Sequence, residues 1–232
     1  MRKLFLGRKF LALSIFLVGL SLFLPRDAFA HQPNLVGEEQ IEVNDPEISR
    51  VFYATLEGNP HFYLVKSPSR FDLYLNLLVP KLPNWEKDFT IQISKVEGGK
   101  EVLIQEINSR DFPWEEYYEE FAGDYYYMGP EWEREVEAGT YRISLSSPNP
   151  RAKYALAVGK IESFPFSEMF RTLGVLPALK MDFFEGSFFD IYKGIIGKFL
   201  LGFTILVPVL LALVVFLLVR RSRRRALKAR KP

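Results

Sequence analysis

Two histidines, no cysteine and a crowd of carboxylates set the chemistry this chain could attempt. His31 follows Ala28-Phe29-Ala30, a small-x-small cleavage pattern, so cutting after Ala30 would make it the new amino terminus. An α-amino group beside an imidazole chelates one Cu(II) ion, and His61 could complete a T-shaped set of three nitrogens. The lack of cysteine removes thiolate nucleophiles, disulfides and Cys-type zinc sites. Nucleophilic catalysis needs a nucleophile, a base and a group that orients the base. The chain has no Gly-x-Ser-x-Gly elbow, and His61 lies in "NPHFYLV" at the start of an expected strand, where an imidazole is a structural residue before it is a base. The acids of "WEEYYEEF" and "EWEREVE" could cleave glycosides only if two of them shared a cleft and apolar surroundings raised one pKa. Acids this dense on a solvated loop repel one another and stay hydrated. No Asp-x-Asp-x-Asp-Gly loop is present to give a calcium site its ligand spacing. The residues therefore predict no catalytic group and no cofactor, with two alternatives: copper held by His31 and His61, or a calcium- or glycan-binding module.

The elements around these residues begin with location. "MRKLFLGRKF" is a positive start, "LALSIFLVGLSLFL" an apolar run too short to span comfortably, and Pro25 breaks the helix before the cleavage pattern. Residues 1–30 read as a secretory signal peptide. Phe199 to Val219 is 21 residues without a charge, about 30 Å of helix and the thickness of a bilayer core. Pro208, mid-span, predicts a kink without a break. From Arg220 to Pro232 there are eight basic residues and no acid, whereas His31 to Tyr192 holds 15 Lys and Arg against 27 Asp and Glu, a net of 15 − 27 = −12. Clustered Lys and Arg beside a span stay cytoplasmic. The expectation is a single-pass membrane protein with its acidic body outside, a helix over 195–219 and a basic tail, 220–232, that meets anionic headgroups and not nucleic acid.

Between these ends the dominant period is two. Phe71, Leu73, Leu75, Leu77 and Val79 fall on one face of a strand, and only Leu78 breaks the polar side. The same alternation marks Phe89–Val96, Lys100–Ile107, the strand from Thr140 and the one from Lys153, while Ser49–Leu56 and His61–Val65 flank the turn Gly58-Asn59-Pro60. Gly98-Gly99 reads as a tight hairpin. Seven or eight short strands without a helical period predict a β-sandwich over 31–162. Asp111 to Glu137, long, acidic and aromatic, reads as an ordered excursion over one end of it.

Ala138-Gly139-Thr140-Tyr141-Arg142-Ile143 and Lys153-Tyr154-Ala155-Leu156-Ala157-Val158 resemble the closing strands of bacterial pre-peptidase C-terminal-like domains, and Phe71-Asp72-Leu73-Tyr74-Leu75 looks like their central strand. The resemblance covers Arg50 to Lys160. It implies a small jelly-roll sandwich without catalysis, of a kind often appended to secreted enzymes and in some cases binding calcium or polysaccharide. The acidic pair expected before the central strand is here reduced to Asp72.

The fold class expected is thus all-β, a jelly-roll-like sandwich ectodomain followed by juxtamembrane helices and one C-terminal transmembrane helix. In the juxtamembrane segment, 163–194, Ser167 can cap a short helix with Phe170, Leu173 and Leu176 on one face, broken at Pro177. Phe183, Phe184, Phe188, Phe189 and Tyr192 form either an interfacial collar or ordinary core. The function expected is binding of an envelope protein or polymer, with the excursion as contact surface. Trp114, Tyr117, Tyr118, Tyr125, Tyr126 and Trp132 have the composition of recognition loops. The competing reading is that these rings seal the open end of the sandwich.

Overall fold

Eleven strands form two sheets in a computed structural model that describes residues 31–163 and 165–229. The expected signal peptide, Phe164 and the last three residues of the tail lie outside the described residues. The chain divides into two compact units, one ending at Ile191 and the other beginning at Tyr192.

In the first unit the strands are β1 (Gln32–Leu35), β2 (Gln40–Val43), β3 (Arg50–Thr55), β4 (His61–Ser67), β5 (Phe71–Pro80), β6 (Thr90–Glu97), β7 (Lys100–Asn108), β8 (Glu115–Glu119), β9 (Asp124–Val136), β10 (Gly139–Ser146) and β11 (Lys153–Val158). One sheet has the order β1-β3-β11-β5-β9-β8 and the other β2-β4-β10-β6-β7. All seven strands expected from alternation are present, with ends shifted by a residue or two. Their apolar faces meet as a sandwich predicts: Leu73, Leu75 and Leu77 from β5, Ile143 and Leu145 from β10, and Tyr154, Leu156 and Val158 from β11 share one core. Gly98 and Gly99 turn the β6–β7 hairpin with φ of 57° and 79°, a backbone that a side chain would strain.

Two features depart from expectation. The excursion at 111–137 is strand: β8 and β9 pair antiparallel, and β9 runs 13 residues along β5, so the aromatic stretch extends the first sheet and does not cap the sandwich. The other is β1 and β2, which pair parallel with β3 and β4. Because β1–β2 and β3–β4 both cross from one sheet to the other, their two loops run side by side at one end of the sandwich. Phe62 N–H donates to Glu39 O at 2.7 Å and Asn59 Nδ2 to Glu39 Oε1 at 2.6 Å, tying them together.

Leu78, the residue that breaks the alternation of β5, explains where the helix goes. It faces the outer side of the first sheet with Val51, Ala155, Ala157 and Tyr126, and Val175, Leu179, Phe183 and Phe184 cover them. Small Ala155 and Ala157 let helical segments approach the strand closely. The covering pieces are α1 (Phe166–Ala178) and a π-helical turn, Leu179–Phe183. The helix is entered through Pro165 with no side-chain cap, and it continues past Pro177 before widening into the π turn, so neither the Ser167 cap nor the break at Pro177 is realised. Lys153 Nζ on β11 donates to the carbonyls of Asp182 at 2.7 Å and Phe183 at 3.1 Å, which satisfies the end of that turn. Of the expected collar, Phe183 is core and Phe184 is half-buried, whereas Phe189 is 74% exposed. Phe170 is exposed, not on the buried face of its helix.

In the second unit α2 runs Ile195–Ala229, 35 residues, unbroken at Pro208 and on into the basic residues. Its stretch Ile195–Arg223 contains an 18-residue window of mean hydropathy 2.9 and is long and apolar enough to cross a membrane.

Candidate functional site

Of the six aromatic residues expected to recognise a partner, the structure uses most to build the sheet. Trp114 packs on the core edge to face with Trp85, 5.4 Å between ring centroids, and its Nε1–H donates to Ser109 O at 3.0 Å. It lies so close over β9 that a Cβ on Gly129 would stand 2.5 Å from the indole, which is why position 129 carries no side chain. Tyr127 stacks on Trp85 at 4.2 Å, and Trp132 packs against the same core. Tyr126 is buried on the opposite face, its hydroxyl 3.1 Å from that of Tyr53, with Tyr117 beside it. Only the cross-strand pair Tyr118 and Tyr125 presents itself outward, 38% and 49% exposed. Tyr126 is thus placed in packing and Trp114 and Tyr117 are half-buried: alternation along β8 and β9 puts Tyr117 and Tyr126 on the face that the helical segments cover and Tyr127 on the face toward Trp85.

Beneath that cover sits a buried ion pair. Lys180 is 1% exposed, and its Nζ donates to Asp124 Oδ1 at 2.6 Å and to Ala122 O at 2.8 Å. Glu119, next to them, has its pKa raised by burial, an effect opposed by the N–H groups of Ala122 and Phe121 that its carboxylate accepts and by the charge of Lys180. The arrangement is a latch between sheet and π turn. Its groups are spent on one another.

The histidines are not brought together. His31 precedes β1 at the level of Ser49, where its Nδ1 lies 2.5 Å from Ser49 Oγ. His61 begins β4 and follows the far end of β3, so the length of β3, six residues or about 20 Å of strand, separates their levels. The three-nitrogen copper set is therefore not assembled by this fold. Nor, among the described residues, do three or more His, Asp or Glu side chains group to hold a metal ion. The His31–Ser49 contact is not a nucleophile and base either, because Ser49 is 0% exposed and burial lowers the pKa of His31.

The open site lies elsewhere, at the end where the two crossover loops meet the π turn. A cavity of about 300 Å³ is lined by Val36, Ala54 and Phe183, by the acids Glu38, Glu39, Glu57 and Asp182, and by His61. His61 is 5% exposed, and its Nδ1 lies 2.7 Å from the Tyr154 hydroxyl, which lies 2.7 Å from that of Tyr63. Burial lowers the His61 pKa, while the charges of Glu39 and Glu57 act the other way. Sequence reasoning missed the four carboxylates. The available signal was topological: two loops, one acidic and one a Gly-Asn-Pro turn, each followed by a strand that pairs with the other's.

No family model matches this sequence, and no curated protein does. Among solved structures the chain is similar to a Yersinia pseudotuberculosis-derived mitogen, at 12% identity over 52% of this chain and 92% of that one, with a TM-score of 0.33. It is also similar to the pre-peptidase C-terminal domain of a collagenase from Bacillus anthracis, at 8% identity over 57% of this chain and 98% of that one, with a TM-score of 0.27. A β-glucosidase from Paenibacillus barengoltzii matches at 9% identity over 57% of this chain and 12% of its own, with a TM-score of 0.21. The second is a domain of the kind whose strand motifs the sequence resembles, and the likeness is weak at this identity and TM-score. None of the three fixes an activity for this chain.

Proposed function

We propose that the chain is a single-pass membrane protein that holds an acidic β-sandwich outside the cytosol as a non-catalytic module for binding an envelope component. The observation that carries this reading is α2: Ile205, Val209, Leu211, Leu213 and Phe216 are all exposed along it, apolar surface that water disfavours and lipid accepts. Eight basic residues from Arg220 onward favour a cytoplasmic end there, and the −12 of His31 to Tyr192 suits the opposite side. Binding without catalysis is supported by the placement of the titratable groups, since Ser49, Lys180, Asp124 and Glu119 are committed to internal contacts and His61 Nδ1 is taken up by the Tyr154 hydroxyl. An epitope placed after Pro232, followed by protease treatment of intact cells, tests the topology. Loss of the sandwich with the epitope retained is expected. Loss of the epitope with the sandwich intact overturns the reading.

A further inference from the structure

The cavity between the crossover loops and the π turn has a specific set of partners to offer. Its charge is all of one sign, with four carboxylates and no Lys or Arg among its lining residues. These acids are not grouped closely enough to hold a bare metal ion. They suit a larger, softer cation.

His61 adds the second feature, and proton counting fixes its form. Tyr63 is 0% exposed, and Tyr154 is the one hydrogen-bond partner its hydroxyl has among the described residues, so Tyr63 O–H donates to Tyr154. The Tyr154 proton is then given to His61 Nδ1. The reverse order would strand the Tyr63 proton in the core. With Nδ1 accepting, the ring proton sits on Nε2, which has no partner among the described residues, and His61 is one of the residues that line the cavity. An unpartnered donor, its tautomer fixed by two buried tyrosines, thus sits on a residue 5% exposed that lines an acidic cavity. It calls for an oxygen acceptor, which an inorganic cation does not bring. Val36, Ala54 and Phe183 supply an apolar wall. The volume of about 300 Å³ lies at the small end of ligand sites.

We infer that this cavity binds a small primary ammonium ligand bearing an oxygen acceptor and a short apolar body, the ammonium among Glu38, Glu39, Glu57 and Asp182, the oxygen on His61 Nε2–H and the carbon against Val36 and Phe183. The inference deepens the binding-module reading and rests on it. A free amine and an amine-bearing sugar of an envelope polymer share this chemistry.

The test is calorimetric titration of the full chain in nonionic detergent micelles at pH 7. The probes are 2-amino-1-phenylethanol, its analogues 1-phenylethanol (no amine) and 2-phenylethylamine (no hydroxyl), and a glucosamine tetramer. At least one hydroxyl-bearing amine should bind with a Kd of roughly millimolar or better, as expected of a ligand of this size. If 2-amino-1-phenylethanol binds, 1-phenylethanol should be weaker by about tenfold or more, and Glu39→Gln with Glu57→Gln should weaken the amine about fivefold, the sum of two exposed ion pairs. The doubly substituted positions are on the surface, so that variant keeps its fold. His61→Gln should erase the advantage of the hydroxyl probe over 2-phenylethylamine. If that variant does not fold, the wild-type comparison of those two probes decides the same point. Binding of the tetramer alone, lost in the double variant, supports the polymer source. Equal binding of 1-phenylethanol, or no binding by either amine probe or the tetramer, overturns the inference. Because micelles expose both sides of the span, these outcomes are independent of the orientation of the chain.

Discussion

Two regions of the sandwich, the β8–β9 edge and the crossover end, contrast sharply. The β8–β9 region is conspicuous in sequence, with Trp114, Tyr117, Tyr118, Tyr125, Tyr126 and Trp132 within twenty residues, and the fold spends most of those rings on packing. The crossover end is inconspicuous, a Val36-Gly37-Glu38-Glu39 loop beside a Gly-Asn-Pro turn, and it is there that a cavity opens over a buried imidazole. The difference teaches that aromatic density marks a surface for recognition only when strand alternation leaves the rings unburied. In β9 the run Tyr125-Tyr126-Tyr127 sits in a sheet with packing on both faces, so two of its three rings have somewhere to go.

The contrast can be broken first at the latch. Asp124→Leu leaves the Lys180 ammonium buried without its carboxylate and should cost about 3–5 kcal/mol of stability, read as the unfolding midpoint of the full chain in denaturant. A loss below ~1 kcal/mol would show that the π turn is not held by this pair. Next is the support of the cavity. Tyr154→Phe removes the donor to His61 Nδ1 and the acceptor of Tyr63 O–H, and about 1–3 kcal/mol should go with them. Unchanged stability would mean that the three-residue chain of hydrogen bonds is not formed.

Acid sharpens the comparison further. Burial places the His61 pKa below the usual 6.5, with His31 shifted the same way. Above that value both are neutral in the folded and unfolded chain. As pH falls below about 6.5 the unfolded chain takes up protons first, so stability declines until the lower folded pKa is passed. The melting temperature should drop between pH 7 and pH 5, less steeply in His61→Gln. An identical slope in both chains would remove His61 from the account. The smallest effect belongs to the outward pair: Tyr118→Ala should cost less than about 1 kcal/mol, because its ring pairs with Tyr125, at 4.6 Å, and is 38% exposed.

How much of this was legible depends on the range of the forces involved. The strands of the core announce themselves, because Phe71 to Val79 or Tyr141 to Leu145 alternate under purely local rules. The apolar helix declares itself through composition alone, and α2 covers all of the 195–219 expected to be helical. What alternation cannot report is what covers the other face. Leu78 looked like an irregularity until Leu179 and Phe183 were found against the same patch, a hundred residues further on. Strand β1, Gln32-Pro33-Asn34-Leu35, has no period and a proline, and it exists because it pairs with β3, eighteen residues away. The cavity is harder still, since Glu39, Glu57, His61 and Asp182 meet only through the double crossover and the π turn.

Trp114→Ala, followed by denaturant unfolding of the full chain, weighs the contrast most directly. The indole packs on the core, meets Trp85 edge to face and lies over Gly129, so its removal should cost about 3 kcal/mol while leaving amine binding at the crossover cavity unchanged. Stability within ~0.5 kcal/mol of the parent chain would return Trp114 to the surface and the aromatic strands to the role of a recognition site.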